Sequence, residues 1–378
     1  MKDKKNEEKG RSYMAFAALN PYLEDNIVKP VEKKVTGQNW IEYGEKNMYP
    51  NYLYDLYQNS TSLHTLVDAC KDYIGGDKVT SNCPYLTDIE ATKLVKQLGF
   101  NLMLTGGVFV NVLRNKLGDV CKIIPLDFRK VRSSLEGNFF YYSDDFAVKS
   151  YGRGKYISYP AFNAEEKTVL TSIYYYKNSD YTVYAQPVYA SATKSCEIEK
   201  KIAEYHLNNL CNNFSSNYML SFNNGIPTDE IREEIEEMVN EKYSGVENSG
   251  RPMISFSQDK EHAPVVIKLD SNDWGEKYQS LKKDSRQDIF TCFRCTPNLL
   301  GIPTETTGFN SEEYAGAFDI FQRSFIQPHQ KTVCSIIDSL FGKEDSVTIE
   351  PYSIDFERDG ANVDEITSTE TTEENGNN

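Results

Sequence analysis

Cys292-Phe-Arg-Cys295 is the pair of residues whose spacing fits thiol chemistry, either a redox couple or half of a metal site. A redox pair works from the start of a helix, where the dipole lowers the first thiol's pKa. The apolar periodicity upstream puts this pair at the end of a helix, where the dipole acts in the opposite sense. For zinc the pair supplies two ligands, and no second pair follows at finger spacing; the other cysteines are scattered. The four histidines, His64, His206, His262 and His329, form no His-x-x-x-His or His-Glu arrangement. No phosphate-cradling GxxxxGK[ST] loop, GxGxxG turn or GxSxG elbow is present. "LTGGVF" (104–109) reads as a tight turn between helix and strand, and "DEIREEIEE" (229–237) as a solvated helix face. The expectation is therefore no catalytic residue, no metal and no cofactor.

What remains is a set of elements. The 378 residues carry a formal charge of −15, with 39% hydrophobic residues but 26 Tyr and 19 Phe to fill cores. That charge argues against a protein that coats DNA by neutralising phosphates, though not against one that lets DNA slide past. No apolar run is long enough for a membrane span, no signal peptide is read, and scattered cysteines suit a reducing cytosol. Residues 60–75 place Leu63, Leu66, Val67, Cys70 and Ile74 on one helical face. A second helix spans about 88–104, followed by a hairpin turning at 115–118 and by short aromatic strands. The Tyr clusters there read as strand packing rather than a binding surface.

From 188 to 213 the period is helical, with Ile198, Ile202, Tyr205 and Asn209 on one face. A strand–helix–strand unit follows, its helix capped by Thr228. The next helix carries Trp274, Tyr278, Leu281, Ser285, Ile289 and Cys292 as a stripe and stops at Pro297. A polar loop, "GIPTETTGFN", leads to a last helix that starts at Asn310 in a capping box with Glu313 and runs to Phe341. Its apolar positions are Tyr314, Phe318, Phe321, Phe325, Val333, Ile336 and Leu340. Pro328 deletes the hydrogen bond to the Ser324 carbonyl and should bend it.

The order of these parts resembles the portal (head-to-tail connector) proteins of tailed double-stranded DNA bacteriophages. The likeness runs over about 40–345 and is carried by "NMYPNYLYDLYQNSTSLHTLVDACKDYIGG" and "GGVFVNVLRNKLGDVCKIIPLD". It is carried most specifically by "LSFNNGIPTDEIREEIEEMVNEKYSGVENSGRPMISFSQ" followed by "DIFTCFRCTPNLLGIPTETTGFNSEEYAGAFDIFQRSFIQP".

The resemblance implies an α+β, portal-like subunit: an α/β wing, long stem helices, a strand–helix–strand clip and a kinked helix, assembling as a ring. By position, 1–39 is a partly disordered N-terminal arm, 40–187 the wing and 188–213 a stem helix. Residues 214–270 are the clip, 271–295 a stem helix, 296–309 the tunnel loop and 310–342 the kinked helix. Residues 343–360 return to the wing, and 361–378 form a disordered acidic tail, with little chain left for a helical crown. The DNA-facing residues implied are Thr304, Glu305, Thr306, Thr307, Gly308, Phe309 and Asn310, which include no lysine or arginine that would brake a moving duplex. Lys282, Lys283, Arg286 and Arg294 either pair with acidic residues of a neighbouring subunit or form a basic stem ring.

The implied function is a non-enzymatic channel at one capsid vertex, through which double-stranded DNA is packaged and ejected. The implied partners are a homo-oligomer (a dodecamer), double-stranded DNA, the terminase large subunit, the major capsid protein and a head-tail adaptor protein, with no membrane. The implied location is the virion, after synthesis in the bacterial host cytoplasm. Two alternatives stay open: a CxxC-dependent redox or metal enzyme, and a virion adaptor or scaffold that never contacts DNA.

Overall fold

The computed structural model describes residues 28–144, 146, 156–211, 219–222, 228, 231, 253–256, 274–302 and 311–353. Two compact units divide the chain: Ile27–Glu197 with Ser285–Asn378, and Ile198–Asp284 with Met1–Asn26. The fold is mixed α and β. Its elements run β1 (Glu32–Lys34), β2 (Ile41–Tyr43), α1 (Tyr49–Asn59), α2 (Thr61–Gly75), β3 (Lys78–Ser81), α3 (Asp88–Thr105), β4 (Gly107–Arg114) and β5 (Val120–Pro125). Then come β6 (Val131–Ser133), β7 (Phe139–Tyr142), β8 (Ile157–Pro160), β9 (Thr171–Lys177), α4 (Thr193–Cys211), β10 (Met219–Phe222) and β11 (Met253–Phe256). Helices α5 (Trp274–Cys292), α6 (Ser311–Phe321) and α7 (Gln327–Phe341) lead to β12 (Val347–Glu350).

In the larger unit, helix α2 starts where Ser60 Oγ accepts the Leu63 N–H at 3.3 Å. It buries Leu63, Leu66, Val67, Cys70 and Ile74, the five positions that the sequence period selects. Helix α3 opens on a complete capping box: Thr87 Oγ1 accepts the Glu90 N–H at 3.3 Å, and Glu90 Oε2 accepts the Thr87 N–H at 3.0 Å. The Thr87 N–H bond, joined by the Thr87 hydroxyl donating to Glu90 Oε2 at 2.8 Å, favours the charged carboxylate and holds Glu90 below its ordinary pKa. The helix ends on Gly106, at φ 77°, where a Cβ would stand 2.0 Å from the Gln186 carbonyl oxygen.

The chain enters β4 directly, between β5 and β9 in an antiparallel sheet; β6, β7 and β8 form a second. Strand β12 pairs antiparallel with β3, the strand that follows α2.

Four tyrosines, Tyr43, Tyr175, Tyr184 and Tyr189, satisfy both halves of their chemistry inside this unit. Phe109 and Tyr175 stack at 4.0 Å, as do Tyr43 and Tyr184. Tyr184 donates to the Ile41 carbonyl at 2.6 Å, and Tyr189 to the Leu104 carbonyl at 2.9 Å. Each ring fills core volume while its hydroxyl completes a backbone bond. They are packing residues, as the strand pattern suggests.

In the smaller unit, β10 and β11 pair in parallel, Met219 opposite Met253 through Phe222 opposite Phe256. Parallel neighbours require a crossover. The segment read as its helix, 229–243, lies outside the described residues apart from Ile231. Tyr205 and Tyr278 place their rings 4.8 Å apart.

Two sequence expectations change. Helix α4 buries Ile202, but Ile198 is half-buried and Tyr205 exposed, while Ser195, Cys196, Glu197 and Glu199 are buried. Ser195 Oγ donates to Asp288 Oδ2 at 2.9 Å, so the packed side of its first turns is polar, which an apolar period cannot register. The last helix, read as one rod with a bend, is two α-helices joined by a π turn, Gln322–Ile326.

Candidate functional site

The site is built from the end of α5, the turns after it, and helices α6 and α7, all in the larger unit. Helix α5 presents Ser285, Ile289 and Phe290 to the core. It stops in a Schellman arrangement. The Arg294 N–H donates to the Thr291 carbonyl at 3.0 Å, and the Cys295 N–H reaches back to the Phe290 carbonyl at 3.2 Å. Arg294 holds the left-handed position at φ 53°. A short 3-10 turn, Pro297–Leu300, follows and is closed by left-handed Gly301. Leu299 is buried, and its carbonyl receives the Tyr314 hydroxyl of α6 at 3.5 Å.

Aromatic packing fixes the rest. Phe293 is buried between Tyr189, at 5.9 Å and nearly parallel, and Phe325, at 6.1 Å. Phe321 stacks on Phe325 at 5.7 Å, and the Tyr73 ring meets both Phe318 and Phe321. From α7, Gln330 Nε2 donates to the Tyr73 carbonyl at 3.1 Å and the Ile74 carbonyl at 3.3 Å, in the last turn of α2. The described residues on either side of 303–310 are thus anchored in the same core.

The sequence-selected residues fall as follows. Thr304, Glu305, Thr306, Thr307, Gly308, Phe309 and Asn310 lie outside the described residues, and so does the Asn310–Glu313 cap as a side-chain contact. Lys282 and Lys283 are exposed on α5. Arg286 is half-buried, its guanidinium 5.8 Å from the Phe290 ring centre. Arg294 is exposed, yet its Nη1 donates to the Ser324 carbonyl at 3.2 Å. Pro328 is the second residue of α7. Ile326 and Gln327 keep helical dihedrals, and the Gln327 N–H bonds the Gln322 carbonyl five residues back. The proline is accommodated by widening the preceding turn.

Sequence reading missed Gln322, buried on that turn with no hydrogen-bond partner among the described residues for its amide oxygen or nitrogen. It also missed Gln330. Both are polar residues at apolar-stripe positions, and that interruption is the signal that marks them.

The thiol pair shows no activated chemistry. Cys295 is buried, and desolvation pushes its thiol up to about 12, partly offset by hydrogen bonding to the Thr296 backbone. Cys292 Sγ lies 3.4 Å from Ser191 Oγ. Buried Cys70 is also raised, by burial first and by Cys295 second. Among the described residues no three His, Cys, Asp or Glu side chains gather as metal ligands, and no helix is long and apolar enough to cross a membrane.

Comparison with known proteins gives these anatomical features a family. The probable portal protein of Haemophilus phage HP1 (strain HP1c1) is 22% identical over 247 residues, 65% of this chain and 68% of that protein. Among solved structures, a chain from the neck of a native GTA particle computed with C12 symmetry aligns at 14% identity and TM-score 0.49, covering 81% of this chain and 86% of that one. A chain from the virion of a native gene transfer agent particle aligns at 14% identity and TM-score 0.46, covering 82% and 84%. The family model described as phage portal protein matches residues 87–371, most of the sequence, and the chain belongs to that family.

Proposed function

We propose that this chain is the subunit of a closed ring, a dodecamer, at one vertex of a virion capsid, through which double-stranded DNA is packaged and later ejected. The observation that carries this reading, beside the family match, is the anchoring in one aromatic core of the described elements that precede and follow 303–310. A polar segment without a cation, held at both ends, suits a wall past which a duplex must slide. The formal charge of −15, repeated around the ring, keeps phosphates at a distance. Residues 304–310 face the DNA, and Lys282, Lys283 and Arg286 pair with acidic residues of the neighbouring subunit. The clip, 214–270, receives the terminase large subunit and then a head-tail adaptor, while the wing, 40–187, meets the major capsid protein. The protein itself catalyses nothing.

Mass photometry and negative-stain imaging of the purified chain test the ring directly. Closed rings are expected, and monomers alone across several buffers and concentrations would overturn the proposal. Deleting Thr304–Gly308 should leave the rings intact and reduce DNA packaging. Unchanged packaging by intact mutant rings would instead favour an adaptor or scaffold that never touches DNA.

A further inference from the structure

We infer that Arg294 is a positioning residue, a latch whose guanidinium replaces the backbone N–H that Pro328 lacks and ties the end of α5 to the π turn. In an ordinary α-helix the Ser324 carbonyl would accept the N–H of residue 328. Proline has none, so that acceptor loses its ordinary i+4 donor. Arg294 Nη1 donates to it at 3.2 Å from a different helix end.

The backbone of Arg294 supports the same conclusion independently. At the ends of α3 and α7 the left-handed position belongs to Gly106 and Gly342. Glycine is the residue that occupies it without steric cost. At the end of α5 the same position, φ 53°, holds arginine. A side chain kept where glycine fits better is there for what its far end does. Its far end reaches the one carbonyl that the proline has released. Phe293, the preceding residue, meets Phe325, the residue after Ser324, so an apolar contact flanks the polar one.

The consequence is a change of role. The sequence groups Arg294 with cations that could face phosphate, but its guanidinium is committed to the protein's own backbone. The end of α5 and the π turn after α6 therefore share a hydrogen bond that substitution can remove, beside the Phe293–Phe325 contact. This holds for the isolated subunit and does not depend on the ring.

Hydrogen exchange of the full-length chain, read by mass spectrometry on peptides covering 318–332, tests it with Arg294→Gly, Pro328→Ala and the double variant. Arg294→Gly relieves the left-handed backbone while removing the latch. It should speed exchange in 318–332 by about tenfold, the worth of one charge-assisted hydrogen bond, without speeding exchange in 285–293. In the Pro328→Ala background residue 328 regains an N–H for the carbonyl. There the same substitution should change exchange by less than about threefold. Equal effects in the two backgrounds, or no effect of Arg294→Gly in the native one, would overturn the latch. Should Arg294→Gly fail to fold, Arg294→Gln provides the same comparison between backgrounds.

Discussion

Helix α3 and helix α5 both end on a left-handed residue, Gly106 in one and Arg294 in the other. The difference extends along each element. Helix α3 has a complete capping box, a glycine terminus and a direct entry into β4. Helix α2 beside it buries every apolar position of its stripe. Around α5, α6 and α7 the local rules are broken repeatedly. An arginine stands at a glycine position, a π turn interrupts the ladder, a proline follows it, and the Gln322 amide is buried without a partner among the described residues. Proteins concentrate such violations where function requires them and support them from a region that obeys every rule. The α2–α3 layer is that support, because Tyr73 and the last carbonyls of α2 receive Phe318, Phe321 and Gln330.

The contrast can be broken at its strong end first. Leu66 is fully buried in α2, and Leu66→Ala should cost about 3 kcal/mol through lost transfer energy and a residual cavity. Urea unfolding followed by Trp40 fluorescence, in a Trp274→Phe background, reads the larger unit alone, since Trp40 is one of only two tryptophans. A loss below about 1 kcal/mol would mean that the support is no better packed than what it carries.

The opposite sign is expected on the flank. Gln322→Leu removes a buried amide and keeps its volume, and should stabilise the same unit by about 1 kcal/mol. Destabilisation would show that the amide is satisfied in the assembled protein, and would move Gln322 from a tolerated defect to an interface residue.

The legibility of the sequence follows the same division. The α2 stripe, the α3 span, the β4–β5 hairpin and the parallel partners β10 and β11 can be read from period and turn residues because each is locally self-consistent. The orphaned Ser324 carbonyl is equally legible, since proline chemistry alone predicts it. What fills it is not. Arg294 is thirty residues away by sequence, and its contact depends on Phe293 meeting Phe325 in the folded core. The polar packing of α4 escapes for a related reason, because Ser195 and Asp288 meet only through tertiary structure. Aromatic content foretells a dense core, but not that Tyr184, Tyr189 and Tyr43 each complete a distant backbone carbonyl.

The smallest effect probes the latch through a proton. His329 Nδ1 donates to the Phe325 carbonyl at 2.6 Å, with the two rings 4.6 Å apart. Burial lowers the His329 pKa below its ordinary 6.5; the Phe325 bond opposes this, and Arg294 adds to it. Protonation is therefore harder in the folded chain than in the unfolded one. Between the depressed folded value and 6.5 the unfolded chain holds more protons, so stability rises with pH across that window. It is fully present above 6.5 and is lost as pH falls through the folded value. Lowering pH from about 7 to about 5.5 should therefore cost the larger unit stability through this group. His329→Gln, which keeps a donor for the carbonyl, should remove that share of the pH dependence. Arg294→Gly should shrink it without abolishing it, because burial, the larger of the two lowering causes, remains. A pH response identical in wild type and Arg294→Gly would place the guanidinium too far from His329 to be held at Ser324.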